Sequence, residues 1–426
     1  MAAITCPVTH TVVYLADQIR SGTLADPKGR RICEQILALV EEIAEGAAGR
    51  DHFSTIQSLV KELKTANDHP ANKKIGEWLE NTITIHDELF LDHITSKNCP
   101  THDCTKMVPS PCQMACPAGI DVPAYLSLIA AGKDAQAIDV IRRANPLPWI
   151  CGLVCTRPCE MMCVRARIDT PISIKFLKAF AAERALSERT YVNPEKKEDN
   201  GKKVCVIGAG PGGLSAAYYL ALEGYQVRVI EALPMAGGML MVGIPRYRLP
   251  REVIDREVAL IAELGVEFRF NTRMGEDLTF EDLKKEGFQA FFIAIGAHKS
   301  WSLDIEGEKD FSKVLDAVTF LKEVALGDRT LPGKDIVVIG GGNVAIDAAR
   351  TSLRLGARSV TIAYRRSRSE MPADVEEVEH AEEEGVKFSF LTIPTRVAGT
   401  DNTIHGLDCI KAELVKKQGS DRMSPR

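Results

Sequence analysis

Eight of the twelve cysteines lie in one short stretch of the 426-residue chain. They form two groups of four: Cys99, Cys104, Cys112 and Cys116, then Cys151, Cys155, Cys159 and Cys163. Closely spaced thiolates bind iron, and eight thiolates are the number that two [4Fe–4S] clusters require. Structural zinc more often shows paired C-x2-C knuckles, which neither group contains. The spacing therefore predicts iron–sulfur clusters, with a zinc site or a disulfide framework as alternatives.

The second group repeats every four residues, which on one continuous helix would place all four sulfurs on the same face. Gly152 and Pro158 lie within the group and disfavour a single helix. We therefore expect a folded loop around the clusters. Arginines close to the group can offset the negative charge of cluster thiolates: Arg142, Arg143, Arg157 and Arg165.

A first glycine-rich dinucleotide fingerprint lies between an apolar strand and a helix rich in alanine and leucine: Gly208, Gly210, Gly212 and Gly213. These glycines permit the tight turn, the approach of a pyrophosphate to the backbone, and the packing of helix on strand. The phosphates would lie at the helix amino terminus, where free N–H groups favour negative charge. Glu231 follows at the end of the next strand, where a carboxylate can accept hydrogen bonds from ribose hydroxyls.

A second fingerprint comprises Gly340, Gly342, Asn343 and Val344, and Ala345 replaces the third glycine. No acid follows the next strand. Arg365 and Arg366 stand there instead, and arginines suit the 2′-phosphate of NADP. The pattern favours NADPH over NADH, and a solvated basic turn is the alternative.

Bulk properties exclude several classes of protein. The net charge of −5 and a pI near 6.1 argue against a nucleic-acid surface. No apolar run reaches the length of a membrane span. The amino terminus lacks a basic segment followed by an apolar core, so we expect no secretory signal and a cytoplasmic location.

The pattern divides the chain into four predicted segments: 1–98, 99–186, 202–298 and 299–420. The first is helical, with apolar residues at helical spacing over Ile32–Ile43, Ile56–Leu63 and Trp78–Ile85. It is either a small bundle or a module that docks a partner.

The second segment is a helical [4Fe–4S] domain, followed by a polar linker over Ser187–Lys203. The third and fourth alternate strand and helix, which predicts an α/β fold with two Rossmann-like dinucleotide-binding domains and parallel sheets. Phe288–Ala297 is predicted to be a buried strand, and Leu407–Val415 the last strand of the second domain.

Three motifs extend these predictions: CQMACPAGIDVPAYLSLIAAGK, NPLPWICGLVCTRPCEMMCVRARIDTPISIKFLKAFAAE and GIPRYRLP. They closely resemble the small (β) subunit of bacterial glutamate synthase and, similarly, the amino-terminal part of dihydropyrimidine dehydrogenase. The resemblance covers roughly residues 99–420. It implies two [4Fe–4S] clusters with ligands drawn from both cysteine groups, FAD at the first fingerprint and NAD(P)H at the second.

The resemblance also implies which residues approach the flavin: Gly237, Gly238, Met239, Leu240, Pro245, Tyr247, Arg248, Ala294 and Gly296. An ordinary loop is the alternative for the glycine pair. Two positions depart from the family, because Lys178 stands where several relatives have a Glu or Gln ligand and Cys151 is not a ligand in relatives. The family also has a later Gly-Asp motif that contacts the FAD, and none follows Val415 here.

These features together predict an electron-transfer subunit in which cofactors carry the chemistry, so no catalytic side chain is assigned. Iron–sulfur partners are expected, such as glutamate synthase, a tungsten aldehyde oxidoreductase or a 2-oxoacid oxidoreductase. The helical amino-terminal segment distantly resembles part of the flavin subunit of respiratory NADH dehydrogenase, which implies docking. The alternative is a non-catalytic scaffold that docks clusters and has a degenerate flavin site.

Overall fold

The structure is a computed structural model that describes residues 7–24, 26–44, 49–66, 69–96, 110–416 and 423–426. The chain divides into two compact units. The first comprises Met1–Pro117, Val122–Ala124 and Met162–Val164, and the second comprises Ala118–Asp121, Tyr125–Met161 and Arg165–Arg426.

The first unit is helical. Its helices are α1 (Pro7–Arg20), α2 (Pro27–Ala44), α3 (Arg50–Thr65), α4 (Pro70–Ile85), α5 (Asp87–Ser96) and α6 (Pro111–Ala115). Proline begins most of them, at the position where its missing N–H costs nothing. Apolar residues three or four apart face one core, as Ile32, Ile36 and Val40 do in α2. The helices predicted from this spacing are confirmed as α2, α3 and α4, whereas the pattern does not single out α1 and α5.

A buried asparagine joins α2 and α4. Asn72 Nδ2 donates to the Asp26 carboxylate at 3.0 Å and to the Ala66 carbonyl at 3.2 Å. Gly29 leaves room for this side chain, since a Cβ at Gly29 would lie 2.2 Å from Asn72 Oδ1. The amide N–H groups thus have partners, whereas Asn72 Oδ1 is buried without a hydrogen-bond partner among the described residues.

Short helices carry the cysteine-rich segment. They are α7 (Val122–Ala130), α8 (Asp134–Arg142), α9 (Pro148–Val154), α10 (Pro158–Met161), a 3₁₀ helix (Val164–Arg167) and α11 (Ile174–Ser187). Helix α9 packs closely on α11 because Gly152 has no side chain, and a Cβ there would lie 2.6 Å from Ala179 N. The expected break in the second cysteine group is confirmed, since α9 ends before Pro158 begins α10.

A parallel sheet follows in the second unit. Its elements are β1 (Lys203–Ile207), α12 (Pro211–Leu222), β2 (Gln226–Ile230), α13 (Met239–Val242), α14 (Arg251–Glu263), β3 (Glu267–Arg269), α15 (Phe280–Lys285) and β4 (Phe288–Ile293). The strand order is β3-β2-β1-β4. Val206, Val229 and Leu214 pack in the core between sheet and helices. The predicted Rossmann-like α/β arrangement is confirmed here.

The prediction that Phe288–Ala297 is a buried strand is wrong. Strand β4 ends at Ile293 and lies at the edge of the sheet, next to β1 only. Phe292 is 45% exposed and Ile293 is 62% exposed. The faces of a strand are buried only where other elements pack on them, and an apolar sequence does not supply that packing.

A second parallel sheet forms the later part of the unit. Its elements are α16 (Ala317–Ala325), β5 (Asp335–Ile339), α17 (Asn343–Arg354), β6 (Ser359–Tyr364), α18 (Val375–Glu383) and β7 (Lys387–Phe390), and the strand order is β5-β6-β7. The last elements are β8 (Thr392–Thr400), β9 (Thr403–Lys411), β10 (Leu414–Val415) and β11 (Ser424–Pro425).

The prediction that Leu407–Val415 forms a strand is confirmed for the residues in β9 and β10, but it is not the last strand, because β11 follows. Most of this segment belongs to β9, which pairs antiparallel with β8, and the sheet of β5, β6 and β7 does not include it. Asp401 and Asn402 form the turn with positive φ values of 47° and 59°. Such a turn returns the chain directly along β8, which a parallel connection cannot do.

The segment predicted as a polar linker packs against the first sheet domain. Tyr191 is buried, and Asn193 Nδ2 donates to the Leu260 carbonyl at 2.6 Å. Lys197 N donates to the Leu222 carbonyl at 2.9 Å. These bonds hold parts of Ser187–Lys203 in place. Between α11 and β1 the segment contains no helix or strand and is mostly exposed, as its polar composition predicts for a linker. Among the described helices, none has the length and apolar character needed to cross a membrane.

Candidate functional site

The first glycine turn joins β1 to α12 through backbone contacts. Gly208 has a φ of +104°, and its N–H donates to the Ile230 carbonyl at 2.7 Å. A Cβ at Gly208 would lie 2.3 Å from the Ala294 carbonyl oxygen, and one at Gly213 would lie 1.9 Å from the Gly208 carbonyl oxygen. Any side chain at either position therefore requires the backbone to move.

The same turn is open on the side of the helix amino terminus. Nothing lies within 4 Å of a Cβ placed at Gly212, and the nearest atom to one at Gly210 is Gly238 Cα at 3.9 Å. The first N–H groups of a helix lack intrahelical partners and attract anions. The space and the donors at the start of α12 thus fit a pyrophosphate.

Glu231 is buried at the end of β2, directly beside this turn. Its Oε2 accepts from Ala209 N–H at 2.7 Å, and its Oε1 accepts from Leu233 N–H at 2.8 Å. Each carboxylate oxygen has a second lone pair, so the fixed carboxylate can still accept from ribose hydroxyls. This geometry fits the acid position that a dinucleotide site uses.

The predicted flavin residues divide into two sets. Gly237 and Gly238 have positive φ values of 112° and 51°, and Gly237 N–H donates to the Ala209 carbonyl at 2.8 Å. A Cβ at Gly238 would lie 2.8 Å from Gly210 Cα, so the structure brings the glycine pair to the first turn. Three more belong to the same sheet domain: Met239 and Leu240 on α13, and Ala294, whose N–H donates to the Ile207 carbonyl.

Pro245, Tyr247 and Arg248 lie on the loop after α13, and two of their side chains contact α17. Arg248 Nη1 lies 2.7 Å from Asp347 Oδ2. The Tyr247 ring lies 4.7 Å below the Arg350 guanidinium and 4.1 Å below that of Arg354. The flavin role predicted for this loop and for the exposed Gly296 stays a prediction.

The second glycine turn joins β5 to α17 and is similar in outline. Gly340 has a φ of +136°, and its N–H donates to the Ala363 carbonyl at 3.1 Å. Nothing lies within 4 Å of a Cβ placed at Gly342, whereas one at Gly341 would lie 2.5 Å from the Tyr364 ring. The opening at Gly342, at the start of α17, therefore fits a second pyrophosphate.

The other residues predicted for this turn differ in accessibility. Val344 is 45% exposed, and Asn343 Oδ1 accepts from Asp374 N–H at 3.0 Å. Arg365 is exposed after β6, whereas Arg366 Nε donates to the Met423 carbonyl at 2.9 Å. Arg365 is therefore the more available partner for a 2′-phosphate.

The cysteines occupy several short elements. In the first unit, Cys112 lies in α6, Cys116 caps its end, and Cys163 is buried. In the second unit, Cys151 lies in α9, Cys155 caps its end, and Cys159 is buried in α10. Cys99 and Cys104 lie outside the described residues.

The donor chemistry of these thiols fits iron–sulfur ligation. All nine cysteines in the described part of the chain are free, so none of them supports a disulfide framework. Within the described ranges, no three His, Cys, Asp or Glu side chains are grouped as one metal site. The assignment of the eight cysteines as cluster ligands stays a prediction.

Two thiols of the second unit have defined surroundings. Burial raises the pKa of Cys151, whereas the positive charge of the buried Lys178 acts to lower this pKa. Cys155 Sγ accepts from the Arg157 backbone N–H at 3.3 Å. Hydrogen bonds of this kind to cluster sulfurs are a means by which proteins set reduction potentials.

Sequence reasoning missed a buried carboxylate that holds the start of α9. Glu257 accepts from Trp149 N–H at 2.7 Å, from Ile150 N–H at 3.2 Å and from the Tyr191 hydroxyl at 3.2 Å. Burial raises the pKa of Glu257 to about 7, although these hydrogen bonds act to lower it. The available signal was an acid on the apolar face of α14, where Val253, Ile254, Leu260 and Ile261 are buried.

Two protein-family models match the chain. The model described as pyridine nucleotide-disulphide oxidoreductase matches residues 202–421. The model described as dihydropyrimidine dehydrogenase domain II, 4Fe-4S cluster, matches residues 93–190. The two matches correspond to the two sheet domains and to the cysteine-rich segment.

Curated relatives extend the comparison. The NADPH-Fe(3+) oxidoreductase subunit beta of Geobacter sulfurreducens is 40% identical, over 93% of this chain and 60% of that protein. The NADP(+)-dependent formate dehydrogenase subunit beta of Moorella thermoacetica is 42% identical, over 75% of this chain and 48% of that protein. The small chain of NADPH glutamate synthase from Azospirillum brasilense is 34% identical, over 74% of this chain and 68% of that protein. The chain thus spans about half to two thirds of the length of these relatives.

Proposed function

Because the chain belongs to the pyridine nucleotide-disulphide oxidoreductase family, we propose that it is an electron-transfer subunit that links NADPH, FAD and two [4Fe–4S] clusters. Bound FAD would supply hydride exchange with the nicotinamide and single-electron exchange with the clusters. The chain's own residues would bind these groups and orient them.

The observation that carries the proposal is that a cysteine-bearing helix shares a core with the first nucleotide domain. Leu147 and Ile150, at the start of α9, pack in the same buried cluster as Val206 and Ala209 of the first glycine turn. Helix α9 carries Cys151 and ends at Cys155. A rigid core thus fixes two thiols relative to the proposed FAD turn, as electron transfer between the two groups requires.

The open glycine turns support the assignment of the nucleotides. The first turn, with Glu231 beside it, would hold FAD, and the glycine pair Gly237–Gly238 lies next to it. The second turn would hold the nicotinamide nucleotide. An exposed Arg365 and the absence of an acid after β6 favour a 2′-phosphate and hence NADPH. Relatives whose names specify NADPH or NADP(+) support the same choice.

The assembly and domain boundaries form part of the proposal. The relatives are named as subunits or as a small chain, and we infer an iron–sulfur partner protein that supplies the terminal reaction. The helices of residues 1–98 would dock that partner, residues 99–186 would hold the clusters, and residues 202–298 and 299–420 would bind the two nucleotides. A cytoplasmic location is consistent with this role.

The direct test is the visible spectrum and dye reduction of anaerobically purified protein. The proposal predicts flavin absorption together with NADPH-dependent reduction of benzyl viologen. Cys155→Ser should keep the flavin and lose most of the viologen reduction. A protein that holds clusters but no flavin would instead support the scaffold alternative.

A further inference from the structure

Arg157 has an unusual backbone conformation between two cysteines of the second group. Its φ is +50°, a left-handed value that is uncommon for non-glycine residues and carries a conformational cost. The side chain is only 19% exposed. A conformation of this kind persists when other interactions compensate for its cost, and Arg157 has several.

Three carboxylates surround the Arg157 guanidinium. Glu376 Oε1 lies 2.6 Å from Nη1, Asp374 Oδ1 lies 3.4 Å from Nη2, and Glu160 Oε2 lies 3.8 Å from Nε. Glu160 belongs to α10, whereas Asp374 and Glu376 belong to the start of α18. One arginine therefore fastens the cysteine-bearing loop to the second nucleotide domain.

Both ends of this connection lead to functional positions. At one end, the Arg157 backbone N–H donates to Cys155 Sγ at 3.3 Å. At the other end, Asp374 caps α18, and its own N–H donates to Asn343 Oδ1 at 3.0 Å. Asn343 begins α17, immediately after the open Gly342. The contacts thus run without a gap from a cysteine thiol to the second glycine turn.

We infer that Arg157 is a positioning residue that couples nucleotide binding at the second turn to the reduction potential of the cluster bound by Cys155. This inference rests on the proposed function. A pyrophosphate at the start of α17 would act on Asn343, and through Asp374 on the guanidinium that fixes the Cys155 loop. Because coupling is reciprocal, reduction of the cluster changes nucleotide affinity by the same factor.

A second arginine shows why the effect is assigned to Arg157. Arg248 also contacts this helix pair, at 2.7 Å from Asp347 and 2.9 Å from Glu377. It reaches α17 and α18 from the loop after α13, which carries no cysteine. Of these two arginines, it is Arg157 that contacts a thiol, through the bond from its backbone N–H to Cys155 Sγ.

The test is a redox titration of the anaerobically purified holoprotein, followed by electron paramagnetic resonance, with and without 2′-phospho-ADP-ribose. This probe has the pyrophosphate and the 2′-phosphate of NADPH but lacks the nicotinamide, so it accepts no hydride. In the unsubstituted protein we expect the probe to shift the midpoint potential of one cluster. A fivefold coupling corresponds to about 41 mV for one electron.

Arg157→Gln should abolish the shift, Arg157→Lys should retain part of it, and Asp374→Asn should weaken it. Arg165→Gln is the matched control, because it removes the same charge from the same segment at an arginine that pairs with Asp169. Both glutamine variants should lower the potential itself, but Arg165→Gln should keep the probe-induced shift. If Arg157→Gln does not fold, Asp374→Asn decides the test.

The possible failures are separable. A protein without a cluster signal, or one that does not bind the probe in calorimetry, contradicts the proposed function and the inference with it. A protein that has both properties but shows no shift, or the same shift in Arg157→Gln and Asp374→Asn as in the unsubstituted chain, overturns the inference alone.

Discussion

The two glycine turns share one fingerprint but are stabilised by different interactions. The first is closed by backbone: a Cβ at Gly208 would meet the Ala294 carbonyl, and a buried Glu231 holds the turn through Ala209 N–H. The second also has a backbone bond, from Gly340 N–H to the Ala363 carbonyl, but no backbone atom crowds Gly340. Side chains contribute here, since Asn343 Oδ1 accepts from Asp374 N–H and the Tyr364 ring lies against Gly341. The first turn is therefore set within its own sheet domain, whereas the second is linked through Asp374 to a network of ion pairs that reaches neighbouring segments.

That network surrounds α17 and α18 in the second unit. Arg350 pairs with Glu377 and Glu384, and Arg248 pairs with Asp347 and Glu377. Burial raises the pKa of Asp347 to about 6, and the charge of Arg248 opposes that effect. Partly buried pairs of this kind add little net stability but are costly to break singly.

The largest expected effect tests the backbone closure of the first turn. Gly213→Ala places a methyl 1.9 Å from the Gly208 carbonyl oxygen, and overpacking of this kind lowers the free energy of unfolding by about 3 kcal/mol. Urea unfolding measures the loss, and FAD content should fall with it.

Gly212→Ala is the matched control, because nothing lies within 4 Å of its Cβ. It should unfold at nearly the same urea concentration as the unsubstituted chain while binding FAD less well. Equal destabilisation by the two substitutions would mean that backbone closure does not define this turn.

Two equivalent substitutions, Gly341→Ala and Gly342→Ala, test the second turn. Gly341→Ala places a methyl 2.5 Å from the Tyr364 ring, which can give way more than backbone can, so we expect a loss of about 2 kcal/mol in unfolding free energy. Gly342→Ala should leave stability unchanged and weaken NADPH binding, measured by calorimetry. Normal NADPH affinity in Gly342→Ala would place the pyrophosphate elsewhere.

The two turns also differ in the residues that follow the next strand, which are Glu231 after β2 but Arg365 and Arg366 after β6. The preference for NADPH over NADH tests this difference. Arg365→Gln should raise the KM for NADPH about tenfold, close to 1.4 kcal/mol of lost binding, and leave the KM for NADH nearly unchanged. Arg366→Gln should have a smaller effect, since its Nε already donates to Met423. Equal effects of Arg365→Gln on both nucleotides would remove the argument for a 2′-phosphate site.

The smallest effect concerns acid sensitivity of the charged network. Burial acts to raise the pKa of Glu384, but hydrogen bonds from Arg354 and Arg350 lower this pKa to about 2. A depressed pKa stabilises the folded chain above the unfolded value near 4.5, and this contribution is lost as pH falls from there to about 2. Glu384→Gln should lower the free energy of unfolding by about 1 kcal/mol at neutral pH. Between the unfolded pKa near 4.5 and the folded pKa of about 2, the variant should lose less stability than the unsubstituted chain, as measured by urea midpoints. An unchanged acid profile would show that the Glu384 ion pairs do not stabilise the folded chain.

Local pattern was sufficient for the parts of the fold that depend on neighbours in sequence. The glycine turns, β1, β2, β5, β6 and helices α2 to α4 follow from periodicity and fingerprint spacing. Long-range packing decided the rest: β4 is apolar yet lies at an edge, and Tyr191, within a mostly exposed polar segment, is buried and donates to Glu257 of α14. For the site, sequence identified Arg157 as a nearby charge, but its partners Asp374 and Glu376 lie more than 200 residues away and no local pattern links them.

The central claim is that this chain binds iron–sulfur clusters that accept electrons from NADPH. The most direct measurement is metal and sulfide analysis of anaerobically purified protein, with electron paramagnetic resonance before and after addition of NADPH. The account predicts about eight iron atoms per chain, equal acid-labile sulfide, and a signal of reduced clusters that NADPH produces. Bound zinc in place of iron, or iron clusters that NADPH leaves oxidised in the presence of bound FAD, would contradict it.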